Sequence, residues 1–156
     1  MKFKDFVVPG AICVDLRAED KRPAIREMIE ALRDAGTIAS EDVDSILRAL
    51  MKREEVGSTG IGKGVAVPHA KHPKVKKLIG SVARSVKGVE FNALDGQPVK
   101  LLFLLISPPD AAGPHIKALE RIFTLLKNDD FCRFALATDK PGDMMELLKE
   151  ADQKIM

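Results

Sequence analysis

"VKLLFLLIS", residues 99–107, carries one charged side chain, Lys100, and then six apolar residues without a break before Ser107. A strand with one wet face alternates, because successive side chains point to opposite sides of the sheet. An unbroken apolar run of this length therefore reads as a strand covered on both faces. Such a strand needs helices above and below it, and the chain supplies them. In "KRPAIREMIEALRDAG" (21–36), Ile25, Met28, Ile29 and Leu32 recur at helical spacing, Pro23 suits a first turn and Gly36 supplies a stop. A second helix is expected from Ser40 as its N-cap, through Val43, Ile46, Leu47 and Leu50, to about Glu54. Beyond the central run, "PHIKALERIFTLLK" starts a helix near Pro114 with Ile116, Leu119, Ile122, Phe123 and Leu126 on one face. Shorter helices follow near Asp130–Ala137 and Gly142–Asp152.

Further strands are read at Ala11–Leu16, in "GVAVPH" (64–69) and in "LIGSVARSV" (78–86), with a turn at Asp95-Gly96 before the central run. Strands flanked by helices, one of them apolar on both sides, give an α/β class. The expected architecture is a three-layer α/β/α sandwich with a mixed central sheet, forming one domain over residues 1–156.

Composition narrows the function. Lys and Arg number 25 against 23 Asp and Glu, a net charge of +2, and the seven Phe are accompanied by no Tyr or Trp. That balance argues against nucleic-acid binding, which calls for a strongly basic surface and aromatic platforms. No apolar run approaches a membrane span and "MKFKDFVVPGAICVDL" lacks a signal core, so the chain reads as soluble and cytoplasmic. Cys13 and Cys132 lie far apart with no C-x-x-C pairing and read as buried free thiols.

The chemistry concentrates in "STGIGKGVAVPHAKH", residues 58–72, which holds two of the three histidines. A P-loop reading fails: Gly57 to Lys63 fits G-x-x-x-x-G-K, but Gly64 stands where the Mg²⁺-binding hydroxyl belongs, and the loop follows a helix rather than a strand. A metal reading of His69 and His72 also fails, because Pro68 and Pro73 flank the pair and nothing arranges further ligands. Neither a metal nor another cofactor is expected. A reactive histidine fits better. Phosphoryl transfer to an imidazole needs a neutral ring, preorganised N–H or O–H donors and a fixed cation. Ser58, Thr59, Gly60, Gly62 and Gly64 offer such donors beside His69, and His115 lies at the start of a helix whose unpaired amides favour an anion.

"KREEVGSTGIGKGVAVPHAK" and "PHIKALERIFTLLKNDDFCRFAL" together resemble the enzyme IIA domain of the bacterial phosphoenolpyruvate-dependent phosphotransferase system, in its fructose/mannitol and nitrogen-regulatory class. The resemblance covers nearly the whole chain. It implies that His69 accepts a phosphoryl group through Nε2 from the histidine-containing phosphocarrier protein, that Arg53 stabilises the group, and that His115 is the second active-site histidine. His72 has no counterpart role and is expected to be a solvated loop residue. Ala70 follows His69 where many members have glycine, which stiffens the backbone without removing a reactive group.

Two roles are compatible with that site. The resemblance of "GSTGIGKGVAVPH" to nitrogen-regulatory members, and a chain without a fused IIB or membrane unit, favour a regulatory module that binds target proteins according to its phosphorylation state. The alternative is a fructose/mannitol-type IIA that passes the group to a IIB unit for sugar uptake. In either role the phosphocarrier is expected to dock on an apolar patch around His69, with Ile61, Val65 and Val67 as candidate contacts.

Overall fold

Strand β5 spans Val99–Ser107, and every residue in it except Lys100 is buried. Its side chains divide the molecule into layers, as the unbroken apolar run requires. The computed structural model describes residues 1–154. On one face, Leu102, Leu104 and Ile106 join a cluster with Ile25, Met28, Ile29 and Leu32 of helix α1 (Lys21–Asp34) and Ile46, Leu47 and Leu50 of α2 (Val43–Val56). On the other, Leu101, Phe103 and Leu105 pack with Ala118 and Ile122 of α3 (Ala112–Leu126), Phe131 and Ala135 of α4 (Asp129–Ala137), and Met144 and Leu148 of α5 (Pro141–Lys154). The expected three layers are present.

The sheet is mixed, with β5 inside it. Strand β4 (Ile79–Val89) runs antiparallel to β5. On the opposite edge, β2 (Val65–Ala66) and β3 (His69–Lys71) both run parallel to β5 in one continuous register, Val65 opposite Leu101 and His69 opposite Leu105. They are one extended segment interrupted at Val67–Pro68. Pro68 has no N–H to give a ladder, while its carbonyl still accepts from Leu105 N at 3.0 Å.

The glycine segment is not the open loop that its composition suggests. Strand β1 (Gly60–Gly62) pairs antiparallel with β2. Between them, Lys63 (φ 57°) and Gly64 (φ 77°) are both left-handed, as a two-residue hairpin turn requires. Gly60 is needed for a different reason: a Cβ there would come within 2.8 Å of Ala93 Cβ and 2.9 Å of Ala93 Cα.

Three local expectations are corrected. Ala11–Leu16 forms no strand: a 3₁₀ turn occupies Pro9–Ala11, and the segment meets β4 at one isolated bridge, Cys13 to Ala83. The turn takes the start of the segment out of extended backbone, so alternation alone does not make a ladder. Ser40 does not cap α2, because a 3₁₀ turn at Ser40–Asp42 comes first and neither helix start receives a side-chain bond. In α3, Ile116 is 56% exposed, while His115, Ala118, Ile122, Leu125 and Leu126 face inward, so the buried stripe is rotated from the one expected.

The hairpin's fit against Ala93 yields a direct test. Gly60→Ala should lower stability by about 1–3 kcal/mol in denaturant titration, because part of the obstruction is backbone that cannot turn aside; an unchanged midpoint would show that the approach is loose.

Candidate active site

β3 starts at His69, and its register against β5 brings that residue to a depression of about 530 Å³. Lys52, Arg53 and Val56 of α2 form one wall, Ala70 and Lys71 lie beside His69, and His115 and Leu119 of α3 form the other. The structure therefore assembles three of the expected residues, Arg53, His69 and His115, from elements 16 and more residues apart.

The state of the His69 ring follows from one bond. Its Nδ1 lies 2.8 Å from the Val67 carbonyl oxygen, which can only accept, so Nδ1 carries the proton. Nε2 is then the unprotonated nitrogen. Burial pushes the His69 pKa down, the Val67 bond opposes this, and the Arg53 charge adds to the lowering. The resident form is a neutral imidazole with a free lone pair on Nε2.

His115 is buried, its ring centroid 5.6 Å from that of His69 and tilted by 57°. Its Nδ1 is 2.5 Å from Ser107 Oγ at the end of β5. Burial, then the neighbouring His69 and Lys71, push its pKa down to about 4, so this ring is neutral too. It does not sit at the open helix start expected. The helix begins at Ala112, and His115 N–H already donates to Ala111 O at 3.0 Å. With Pro114 lacking a donor, the amides left over by the helix are those of Ala112 and Gly113.

Arg53 lies in the last turn of α2, where Nη1 donates to Gly57 O at 2.9 Å. It thus closes the helix end while lining the depression. The glycine segment behaves differently. None of Ser58, Thr59, Gly60, Gly62 or Gly64 is among the residues that line the depression. Ser58 Oγ donates to Phe91 O at 3.2 Å and accepts from Gly60 N at 3.1 Å. Thr59 gives both its N–H and its hydroxyl to the Glu54 carboxylate. Gly62 (φ 99°) and Gly64 shape the hairpin.

His72 is a correction. Far from being solvated, it is only 5% exposed, with Nδ1 accepting from Lys74 N at 3.1 Å and Nε2 2.6 Å from Ser45 Oγ. Since Nδ1 accepts, Nε2 is the donor to Ser45. Val65 and Val67 are buried core residues, which removes them as docking contacts, whereas Ile61 is 40% exposed beside Phe123 and Leu126. Both cysteines are free but only half-buried. Sequence reasoning missed Ser107 and Lys71; strand alternation from His69 points to Lys71, but nothing local marks Ser107.

The family model described as phosphoenolpyruvate-dependent sugar phosphotransferase system, EIIA 2, matches residues 6–151. The chain belongs to this family. The EIIA chain is 38% identical over 133 residues to a nitrogen regulatory protein of Bradyrhizobium diazoefficiens, covering 85% of each. It is 33% identical over 130 residues to a fructose-specific EIIA component of Haloferax volcanii, covering 83% of each. Among solved structures, the nitrogen regulatory protein IIA-Ntr of Neisseria meningitidis matches with a TM-score of 0.83 at 28% identity, over 92% of this chain and 97% of that one. The mannitol IIA of Escherichia coli, solved in complex with phosphorylated enzyme IIB, shares the fold with a TM-score of 0.72 at 22% identity, over 90% of this chain and 95% of that one. The family is thus one of phosphotransferase-system components, and the mannitol IIA was solved against its phosphorylated IIB. Among the described residues, no helix is long and apolar enough to cross a membrane.

All three histidines of the EIIA chain have lowered pKa values, chiefly through burial. Each binds more proton in the unfolded chain than in the folded one between its native pKa and 6.5, so stability rises with pH through that window. The stability of the neutral rings is complete above pH 6.5 and is lost toward about pH 4. Thermal unfolding should show Tm falling by at least about 5 °C from pH 7 to pH 4.5, and His115→Gln should flatten the descent. An equally steep descent in the variant would contradict the assignment of a neutral, buried His115.

Proposed function

We propose that His69 carries the phosphoryl group, received from a histidine-containing phosphocarrier protein in the cytoplasm. The observation that carries this reading is the Nδ1–H bond to the Val67 carbonyl, which leaves Nε2 as the lone pair in a depression shared with Arg53 and His115. In the transfer, Nε2 bonds to phosphorus as the phosphorus–nitrogen bond of the donor breaks, and the electron pair returns to the donor imidazole. The proton of His69 stays on Nδ1, hydrogen-bonded to the Val67 carbonyl, throughout.

The surroundings suit the charge that moves. We assign the Ser107 hydroxyl as the donor to His115 Nδ1, which leaves His115 with a proton on Nε2, a donor for a phosphoryl oxygen. Arg53 provides the fixed cation, and its guanidinium suits paired bonds to phosphate. We assign the phosphoryl contacts to these two residues, and to Ser58, Thr59, Gly60, Gly62 and Gly64 the shaping of the hairpin behind them. Val56, 84% exposed, and Leu119 offer the carrier an apolar landing beside His69, rimmed by Lys52 and Lys71.

The stronger likeness to nitrogen regulatory proteins supports a regulatory role, in which the phosphorylation state of His69 selects target proteins. The likeness to a fructose-specific EIIA supports the second reading, transfer onward to a IIB unit.

Labelling with phosphorylated carrier protein tests the assignment. His69→Ala should abolish acid-labile, alkali-stable label in a folded protein, and His115→Ala should still take label but lose at least about tenfold in transfer rate, because a transition-state donor is gone. Label retained by His69→Ala would overturn the phosphoacceptor; an unchanged rate in His115→Ala would restrict that residue to packing.

A further inference from the structure

Glu54 is one of the few buried charged residues, its side chain 2% exposed, and phosphoryl transfer as described above does not use it. It follows Arg53 directly on α2, so one helical step turns it away from the depression and into the body of the protein. There its carboxylate is fully engaged. Lys21 Nζ, at the start of α1, lies 2.9 Å from Oε1 and 4.7 Å from the centre of the Phe91 ring. Thr59 N–H donates to Oε1 at 3.1 Å and the Thr59 hydroxyl donates to Oε2.

From Thr59 the bonds run on without a gap. Val67 N–H donates to Thr59 O at 3.1 Å, and Val67 O accepts from His69 Nδ1 at 2.8 Å. The residue whose carbonyl fixes the His69 tautomer is thus held through its own N–H by Thr59, which Glu54 grips twice. We propose that Glu54, clamped by Lys21, is a positioning residue: through Thr59 and Val67 it holds the carbonyl that keeps the proton on His69 Nδ1 and Nε2 open to attack. The inference rests on His69 as the phosphoacceptor.

The arrangement has a second consequence. Arg53 and Glu54 are neighbours on one helix, so the same carboxylate that anchors the His69 chain also fixes its distance from the guanidinium that faces the phosphoryl group. A shift of about 1 Å in such a site costs up to a hundredfold in rate. Gln at position 54 would lose the ion pair and present an NH₂ to a donor, because it keeps only one acceptor oxygen. Thr59→Val is milder: it removes one hydroxyl, no charge and little volume.

The test is a comparison of ring tautomers by ¹⁵N NMR of the unphosphorylated chain, together with phosphorylation rates per folded molecule. Unsubstituted protein should show His69 as the Nδ1–H form alone. Glu54→Gln and Thr59→Val should each populate the Nε2–H form and slow phosphorylation by about ten- to a hundredfold. A role confined to stability would lower Tm and leave tautomer and rate per folded molecule unchanged, and that result in either folded variant overturns the proposal. An Nε2–H ring in the unsubstituted protein overturns it without any variant. If the unsubstituted protein takes no phosphoryl group, the phosphoacceptor reading fails, while the tautomer comparison still decides the role of Glu54.

Discussion

A strand with no polar side chain between Leu101 and Ile106 must be shielded from water on both sides, and the placement of the site follows from that constraint. α1 and α2 cover one face and α3, α4 and α5 the other. The parallel register of β3 against β5 puts His69 opposite Leu105, and two residues on, the end of β5 offers Ser107 to His115. The chain then turns directly into α3, which carries His115 back toward His69. The two imidazoles meet at the edge of the core because both are indexed to the same strand.

Burial explains the chemistry as well as the geometry. Rings pressed against an apolar core lose the solvation that an imidazolium needs, so His69 and His115 remain neutral where an exposed histidine begins to protonate. A neutral ring is a nucleophile and a protonated one is not. In the proposed transfer the positive charge that a phosphoryl group needs comes instead from the guanidinium of Arg53. Separating the two tasks lets the nucleophile keep its lone pair beside a cation.

Much of this was legible in the sequence, where a rule acts locally. β5 was read with both ends correct, and α1 was legible from four apolar positions and a glycine stop. His69, His115 and Arg53 were singled out through their family motif, and the structure brings them to one depression. What was hidden depended on partners distant in sequence. His72 looks like a loop residue between two prolines until Ser45, 27 positions earlier, closes over it. Thr59 and Gly60 look like phosphate donors, yet in the structure the Glu54 carboxylate takes the threonine's donors and the Ser58 hydroxyl takes the Gly60 amide. Ala11–Leu16 has the alternation of a strand, yet it meets β4 at one bridge, Cys13 to Ala83, and builds no ladder there.

The account stands on which nitrogen of which histidine bonds to phosphorus. Long-range ¹H–¹⁵N correlation together with ³¹P NMR of the chain after phosphorylation by its carrier resolves that atom directly. The account predicts one phosphoryl group, on Nε2 of His69, with the Nδ1 proton retained. A phosphoryl group on Nδ1 of His69, or on His72 or His115, would contradict it.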